Sequence, residues 1–248
     1  MKFQEMNSPK LEAVDREQTV VVLPIAACEQ HGPHMPTGTD TIICQAIAES
    51  VEQQNVHSVL LLPTIWLGAS SHHLRFGATL TAELDTYISL LCETIEPLLR
   101  DGYRRLMLLN GHGGNIDPMR VALRRLQPQF PDVLLTAGSY WSIAVHEIAA
   151  LLDGESKSVG HACEAETSLM MHLRPELVDI SRVANAGGWL LDDENGLYVC
   201  RDMFQRTDAG ATGRPDLASP EKGAALFSAI VLRVTAAVAM LLAEPLPE

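Results

Sequence analysis

The first segment whose side chains could bind a metal or catalyse a reaction combines two carboxylates with an imidazole. Glu29 and His31 are two residues apart, and Asp40 follows nine residues later. In extended backbone, side chains two residues apart point the same way, so Glu29 and His31 can converge on one small volume. Histidine mixed with carboxylates suits zinc, manganese or iron(II) as a ligand set. The alternative is a polar surface loop in which Asp40 only caps a helix.

The second segment is the glycine-rich stretch NGHGGN at residues 110–115, which has His112 at its centre. A histidine between glycines at the end of a strand is open to a ligand, because its neighbours add no bulk. The stretch lacks the Lys-Ser/Thr pair of a P-loop and does not contain GxGxxG, so phosphate binding is disfavoured. The alternative is a tight turn that carries an incidental histidine.

The third segment places His161 shortly before two glutamates, Glu164 and Glu166. The glutamates lie near a predicted helix start, where the helix dipole stabilises negative charge, so they could be ordinary first-turn acids. A histidine with a glutamate is also a workable general acid–base pair. In a helix, residues two apart point about 200° apart, so both glutamates cannot face one site.

The elements that must position these segments follow from the hydrophobic pattern. Apolar runs alternate with helical stretches, which is typical of a mostly parallel sheet covered by helices on both faces. We therefore predict a three-layer αβα fold. The predicted strands are residues 19–25, 58–66, 105–109 and 133–137. The predicted helices include residues 41–53, 82–99, 142–152 and 162–173, one that starts at Asp117-Pro118 and one that starts after Ser219.

In open sheets of this kind, ligands bind at the carboxyl ends of the strands. The first segment follows the first predicted strand, Ser70 and His73 follow the second, and His112 follows the third. The chemically capable residues are therefore expected to meet at one edge of the sheet.

Composition excludes several classes of protein. The 248 residues are predicted to form one domain over 1–248, because a chain of this length can bury a large core. A net charge of −13 argues against nucleic-acid binding, which depends on clustered Lys and Arg. The five scattered cysteines form no CxxC pair, which indicates a reducing compartment and a cytoplasmic protein. Residues 224–243 are apolar but carry Arg233 at their middle, so we predict a buried or oligomer-facing helix and not a membrane span.

Taken together, the three segments resemble the creatininase (creatinine amidohydrolase) family. The matching stretches are EQHGPHMPTGTD from Glu29, NGHGGN from Asn110 and HACEAETSLMMHLRPELV from His161. GASSHHLRFGATLT from Gly68 and GATGRPDLASPEKG from Gly210 add weaker support. The resemblance spans roughly residues 20 to 225 in the same order.

The resemblance implies a layered α/β fold, a homo-oligomer that is usually a hexamer, and a site with divalent metal ions. It makes Glu29, His31, Asp40 and His112 the metal ligands, with Asp40 bridging two ions per chain. Zinc is the first candidate, with manganese or iron as alternatives. His161 would donate or accept the proton of the leaving nitrogen.

The sequence departs from creatininase proper in two neighbouring positions. Creatininase proper has a glutamate ligand where this chain has Gly114, and an aromatic residue where this chain has Gly113. A second metal therefore needs another carboxylate, and Glu166 matches a glutamate that other NGHGGN members retain. We assign Glu166 to the metal and leave Glu164 as a catalytic partner of His161 or a capping residue.

These observations predict a metal-dependent amidohydrolase that cleaves a non-peptide C–N bond in a small amide, cyclic amide or formamide. The candidate substrate-binding residues are Ser70, His73 and Trp141, and Trp189 is a further candidate wall of the pocket. One alternative is a relative that acts on a peptide-like or formamidopyrimidine substrate in cofactor biosynthesis. Another is a catalytically silent oligomeric binding protein, which should purify with little metal.

Overall fold

A four-stranded parallel sheet lies at the centre of the protein, in the strand order β2–β1–β3–β4. The computed structural model describes residues 1–188, 193–194 and 196–247. The strands are β1 (Val20–Ile25), β2 (Val59–Leu61), β3 (Arg105–Asn110) and β4 (Leu134–Ser139). All residues of the two central strands, β1 and β3, are buried, as expected for a sheet covered on both faces.

Helices cover both faces of this sheet. The helices are α1 (Ser8–Glu12), α2 (Thr39–Gln54), α3 (Leu84–Arg100), α4 (Ile116–Leu126), α5 (Tyr140–Ile143), α6 (Val145–Leu151), α7 (Glu164–Leu173), α8 (Met203–Arg206) and α9 (Pro220–Ala243). A short antiparallel hairpin, β5 (Asp193–Glu194) and β6 (Leu197–Tyr198), lies between α7 and α8. A 3-10 helix, Ser71–Phe76, follows β2.

The period-two alternation of the strands divides the core into two layers. Val20 and Val22 belong to the apolar cluster that also includes residues of α2, α7 and α9. Val21 and Leu23 belong to the opposite cluster, with residues of α3 and α4. The predicted three-layer αβα fold with a mostly parallel sheet is confirmed.

Two predicted elements differ from the structure. The second strand was expected to reach residue 66, but β2 ends at Leu61 because Pro63 has no amide hydrogen to donate to a ladder. Only an isolated bridge, between Ile25 and Ile65, continues the pairing. The helix expected at 142–152 is two helices, because Ala144 leaves the helical region with φ −108° and ψ 30°.

The N-caps of α2 and α4 differ from the predicted ones, whereas that of α9 is as predicted. Asp40 was expected to cap α2, but the cap is Gly38, so Asp40 lies inside the first turn. Asp117 was also expected to be a cap and lies in the first turn of α4. Ser219 does cap α9, because its hydroxyl accepts a hydrogen bond from the amide of Lys222 at 3.1 Å. Because Asp40 does not cap α2, its carboxylate can contact other side chains.

The C-terminal helix α9 is long and apolar enough to cross a membrane by length and composition, and 33% of its most apolar stretch is buried. It packs against α2, α5, α6 and α7. Its contact with α7 is close at Gly223, where an added Cβ would lie 1.9 Å from the carbonyl oxygen of Ser168. On its outer face Leu232 is 66% exposed and Met240 is 63% exposed.

Candidate metal centre

Five predicted ligands meet at the carboxyl edge of the sheet. Glu29 and His31 lie in the loop after β1, Asp40 in the first turn of α2, His112 directly after β3, and Glu166 in the first turn of α7. Each of the five is at most 4% exposed. The structure therefore brings together the whole predicted ligand set, although its residues are spread over more than half of the chain.

Among the described residues three groups of side chains could hold a metal ion; two of them share Asp40, and the third is Glu29, His31 and His161. The ligand atoms of Glu29, Asp40 and His112 all lie within 4.8 Å of one another, and so do those of His31, Asp40 and Glu166. Asp40 Oδ1 lies 3.0 Å from His31 Nε2, and Asp40 Oδ2 lies 3.0 Å from His112 Nδ1. Each oxygen of Asp40 thus faces a different group, as a bridging carboxylate must.

Among the described residues the buried Glu29 Oε2 has no partner, and His31 Nε2 and Asp40 Oδ2 make no hydrogen bond beyond the ion-pair contacts given above. Buried polar atoms are normally satisfied, and buried charges are paired or bind metal. The carboxylates of Glu29, Asp40 and Glu166 form ion pairs only with histidines in the described part of the chain. The donor set therefore fits divalent cations.

Hydrogen bonds on the far side of each ring orient the two ligand histidines. His31 Nδ1 lies 3.1 Å from the carbonyl oxygen of Glu29, which leaves Nε2 for the centre. His112 Nε2 lies 3.1 Å from Ser70 Oγ and 3.3 Å from the carbonyl oxygen of Ala69, which leaves Nδ1 for the centre. Such outer partners fix the tautomer of a metal-binding histidine.

The buried carboxylates of the cluster also favour a positive charge beside them. Burial lowers the pKa of His31, but the charge and hydrogen bond of Asp40, together with the charges of Glu166 and Glu29, raise it to about 10. Burial tends to raise the pKa of Asp40, yet His31 holds it below its usual range. Burial raises the pKa of Glu166 to about 7 against the opposing charge of His31. The carboxylates thus retain a proton on His31, and a divalent cation supplies the same compensation.

His161 lies beside the centre as a neutral imidazole. Its Nε2 donates to the carbonyl oxygen of Gln30 at 2.8 Å, so Nδ1 carries the free lone pair. Nδ1 lies 3.7 Å from Glu29 Oε1. Burial, followed by the positive charge of His31, lowers the pKa of His161 well below its usual value, so the ring is neutral.

Gln30 was not identified from the sequence and connects two of these histidines. Its Nε2 donates to His73 Nδ1 at 3.0 Å and lies 3.1 Å from His161 Nε2, which donates to the Gln30 carbonyl and does not accept from this amide. Its Oε1 accepts from the amide of Gly32 at 3.0 Å, which fixes the orientation of the side-chain amide. The only signal in the sequence is the position of Gln30 between two predicted ligands.

Ser70 and His73, predicted to bind substrate, both contact metal-site residues. Ser70 is fully buried and contacts His112, and His73 is 2% exposed with Nε2 3.2 Å from Glu29 Oε1. These contacts support the ligands from behind. This placement favours orientation of the ligands over direct contact with substrate.

Trp141 lies in α5, at the same edge of the sheet as the metal centre. It is half-buried, and its ring is perpendicular to that of Tyr140 with centroids 4.9 Å apart. Its role as a wall of the substrate pocket stays a prediction. Trp189, the other tryptophan considered for this role, lies outside the described residues.

The structure places Glu164 outside the metal centre. Its Oε1 accepts from the amide of Asp153 at 2.9 Å, and its Oε2 accepts from the amide of Gly154 at 2.9 Å. The ammonium group of Lys222 is paired with the same carboxylate. Both oxygens are thus occupied, so the geometry corrects the catalytic role predicted for Glu164 to an anchoring role, while Glu166 faces His31.

The position that holds a glutamate in creatininase proper is sterically closed in this chain. A Cβ at Gly114 would lie 2.1 Å from the carbonyl oxygen of Ala69, 2.6 Å from His112 Nε2 and 2.7 Å from His72 Cε1. At Gly113 an added Cβ would meet nothing within 4 Å. Neighbouring atoms therefore exclude a side chain at Gly114, whereas the space at Gly113 is open.

We expect Gly114→Ala to weaken metal binding about 10–100-fold, as loss of a partner behind a ligand does, because the added methyl group displaces His112 or the Ala69 carbonyl. Metal content after dialysis against graded chelator measures this. Gly113→Ala is the matched control and should retain the affinity of the unmodified protein. Equal metal retention by both variants would show that the crowding at Gly114 is without consequence.

Two characterised relatives and two solved structures are similar to this chain. The mycofactocin precursor peptide peptidase of Mycobacterium ulcerans is 30% identical, with 85% of this chain and 81% of that protein covered. The creatinine amidohydrolase of Pseudomonas putida is 29% identical over 88% of each chain. A structure described as creatininase Mn has a TM-score of 0.79, and a mutant creatininase of the Zn–Zn type has 0.78. Both are 26% identical and cover 96% of this chain and 97% of theirs.

A family model described as Creatininase, creatinine amidohydrolase, matches residues 4–238. This span includes every residue of the metal centre and all four strands of the sheet. The family resemblance predicted from the three motifs is confirmed. The chain belongs to the creatininase family.

Proposed function

We propose that the protein is a metal-dependent hydrolase that uses water to cleave the C–N bond of an amide. One observation carries the proposal, namely the convergence of five buried side chains of ligand type around Asp40, with Glu29 Oε2 left without a partner among the described residues. Burial of unpartnered polar atoms is costly unless a ligand satisfies them. A binding protein without metal would gain nothing from this arrangement, which argues against the silent alternative.

Two divalent ions would occupy the centre, with zinc as the first candidate and manganese or iron as alternatives. Glu29 and His112 would hold one ion, His31 and Glu166 the other, and Asp40 would bridge them. Such a pair supplies polarisation of the carbonyl and activation of water. The similar creatininase structures described with Mn and as Zn–Zn support both candidate metals.

The protein's own side chains would move the protons of the reaction. Water adds to the amide carbon, the C–N bond breaks, and the products are a carboxylic acid and an amine. His161 would accept a proton from the water at Nδ1 and return it to the leaving nitrogen. The bond from Nε2 to the carbonyl of Gln30 keeps Nδ1 available for this transfer.

We propose a small amide, cyclic amide or formamide as the substrate. A peptide-like substrate is the second candidate, and two observations favour it. The space beside Gly113 is open where creatininase proper has an aromatic ring. The relative from Mycobacterium ulcerans is named as a peptide peptidase. In either case the bond that breaks is an amide C–N bond.

A substrate panel tests the proposal directly. The protein is freed of metal, reloaded separately with Zn, Mn and Fe(II), and assayed by release of amine from small amides, cyclic amides, formamides and short peptides. We expect turnover of at least one class, dependent on added metal. If the protein binds none of the three metals above background, the proposal is wrong.

Creatinine itself is expected to be at best a poor substrate. The aromatic residue that follows the metal histidine in creatininase proper is replaced by Gly113, which enlarges the pocket and removes apolar contact. Gly113→Tyr should improve activity on creatinine relative to larger amides, because an added Cβ there meets nothing within 4 Å. Turnover of creatinine by the unmodified protein at about 1–1000 per second would contradict this expectation.

A further inference from the structure

Tyr140 carries a buried hydroxyl for which the described residues offer no partner. The residue is 1% exposed, and its hydroxyl has no hydrogen-bond partner among them. Buried tyrosine hydroxyls usually find a partner, because a buried donor without one forfeits the hydrogen bond that water would provide. Such a hydroxyl is suited to a partner that arrives with a ligand.

The backbone holds Tyr140 at the same edge of the sheet as His112. Strand β4 ends at Ser139, which is in register with Asn110 at the end of β3. Asn110 Nδ2 donates to Ser139 Oγ at 2.9 Å, and Asn110 Oδ1 accepts from the amide of His112 at 3.0 Å. One asparagine therefore fixes the start of α5 relative to the metal histidine.

The charges that act on Tyr140 are those of the metal centre. Burial raises the pKa of the hydroxyl well above its usual value, and the carboxylates of Glu166 and then Asp40 raise it further. The hydroxyl therefore keeps its proton and remains a donor. Trp141 packs perpendicular to the ring at 4.9 Å, which restricts its movement.

We propose that Tyr140 is a catalytic residue whose hydroxyl donates a hydrogen bond to the carbonyl oxygen of the substrate amide as negative charge develops there. This inference rests on the proposed amide hydrolysis. A preorganised donor at such an oxygen acts strongly in a buried site, because no water competes for it. Among the described residues no acceptor competes for this hydroxyl, which leaves it available to the substrate.

The test compares Tyr140→Phe with Tyr103→Phe, using the zinc-loaded protein and the best amide of the substrate panel. Tyr103 is the matched control, since its side chain is buried and its hydroxyl also lacks a hydrogen-bond partner in the described part of the chain, but it lies before β3, at the opposite edge of the sheet. We expect Tyr140→Phe to lower kcat about 100–1000-fold with little change in KM. Metal content and melting temperature should be unchanged, and Tyr103→Phe should keep full kcat.

The outcomes separate this inference from the proposed function. If the unmodified protein turns over amides and Tyr140→Phe retains its kcat, the role of Tyr140 is wrong and the proposed function stands. If kcat falls only together with metal content, Tyr140 acts on the centre and not on the substrate, which also overturns the inference. If the metal-loaded, unmodified protein hydrolyses no amide, the proposed function itself fails.

Discussion

Asp40→Asn is expected to remove both metal ions and to abolish hydrolysis. Asp40 belongs to two of the groups that could hold a metal ion. Each of its oxygens lies 3.0 Å from a different histidine. Asparagine keeps the shape but replaces one oxygen with an NH2 donor and removes the charge. Because loss of partners behind a ligand already costs about 10–100-fold in affinity, loss of the bridging ligand should cost more than about 100-fold.

Glu52→Gln is the matched control for this experiment. Glu52 lies on the same helix, α2, is 7% exposed, and pairs with the N-terminal ammonium and not with the metal centre. Metal per chain, measured by elemental analysis after gel filtration, should be near zero for Asp40→Asn and unchanged for Glu52→Gln. Retention of two ions by Asp40→Asn would contradict the bridging role.

The two glutamates of α7 are expected to respond in opposite ways. Glu166→Gln should lose one ion and activity, because Glu166 completes the group with His31 and Asp40. Glu164→Gln should keep both ions and lose stability instead. Its carboxylate is 3% exposed and paired with Lys222; removing one partner of a fully buried pair costs about 3–5 kcal/mol, and the cost is smaller here because Lys222 keeps its ion pair with Asp153.

Metal stoichiometry and chemical denaturation, measured on both variants, test this pair of expectations. The discriminating result is an ion count reduced only in Glu166→Gln and an unfolding free energy reduced mainly in Glu164→Gln. Loss of metal in Glu164→Gln alone would reverse the two roles. If neither variant loses metal, a single ion suffices for the enzyme.

The ligand set was predictable because it depends on residue types within short segments. Glu29 and His31 are two residues apart in extended backbone, and His112 follows a strand between glycines. Helical geometry separates Glu164 from Glu166, and the structure places them on different partners. The sheet was predictable for a similar reason, since buried parallel strands are continuous apolar runs.

The residues that support the ligands were not predictable in the same way. Gln30 contacts residues 43 and 131 positions away, and nothing in a lone glutamine announces such contacts. Ser70 was expected to face substrate, but the packing of the 3-10 helix after β2 turns it towards His112. Such roles depend on tertiary placement. Boundaries also failed where local geometry decides, as at Gly38 before Asp40.

The C-terminal helix α9 holds α7 in place, so the part of the metal centre that depends on α7 would form last during synthesis. Glu29, Asp40 and His112 form one group within the first 112 residues, whereas Glu166 lies on a helix that packs against Lys222 and Gly223. At about 5–20 residues per second, translation separates residues 112 and 223 by on the order of ten seconds. In the proposed two-ion centre, a nascent chain would therefore contain the ligands of one ion before the helix that supports Glu166 has been made.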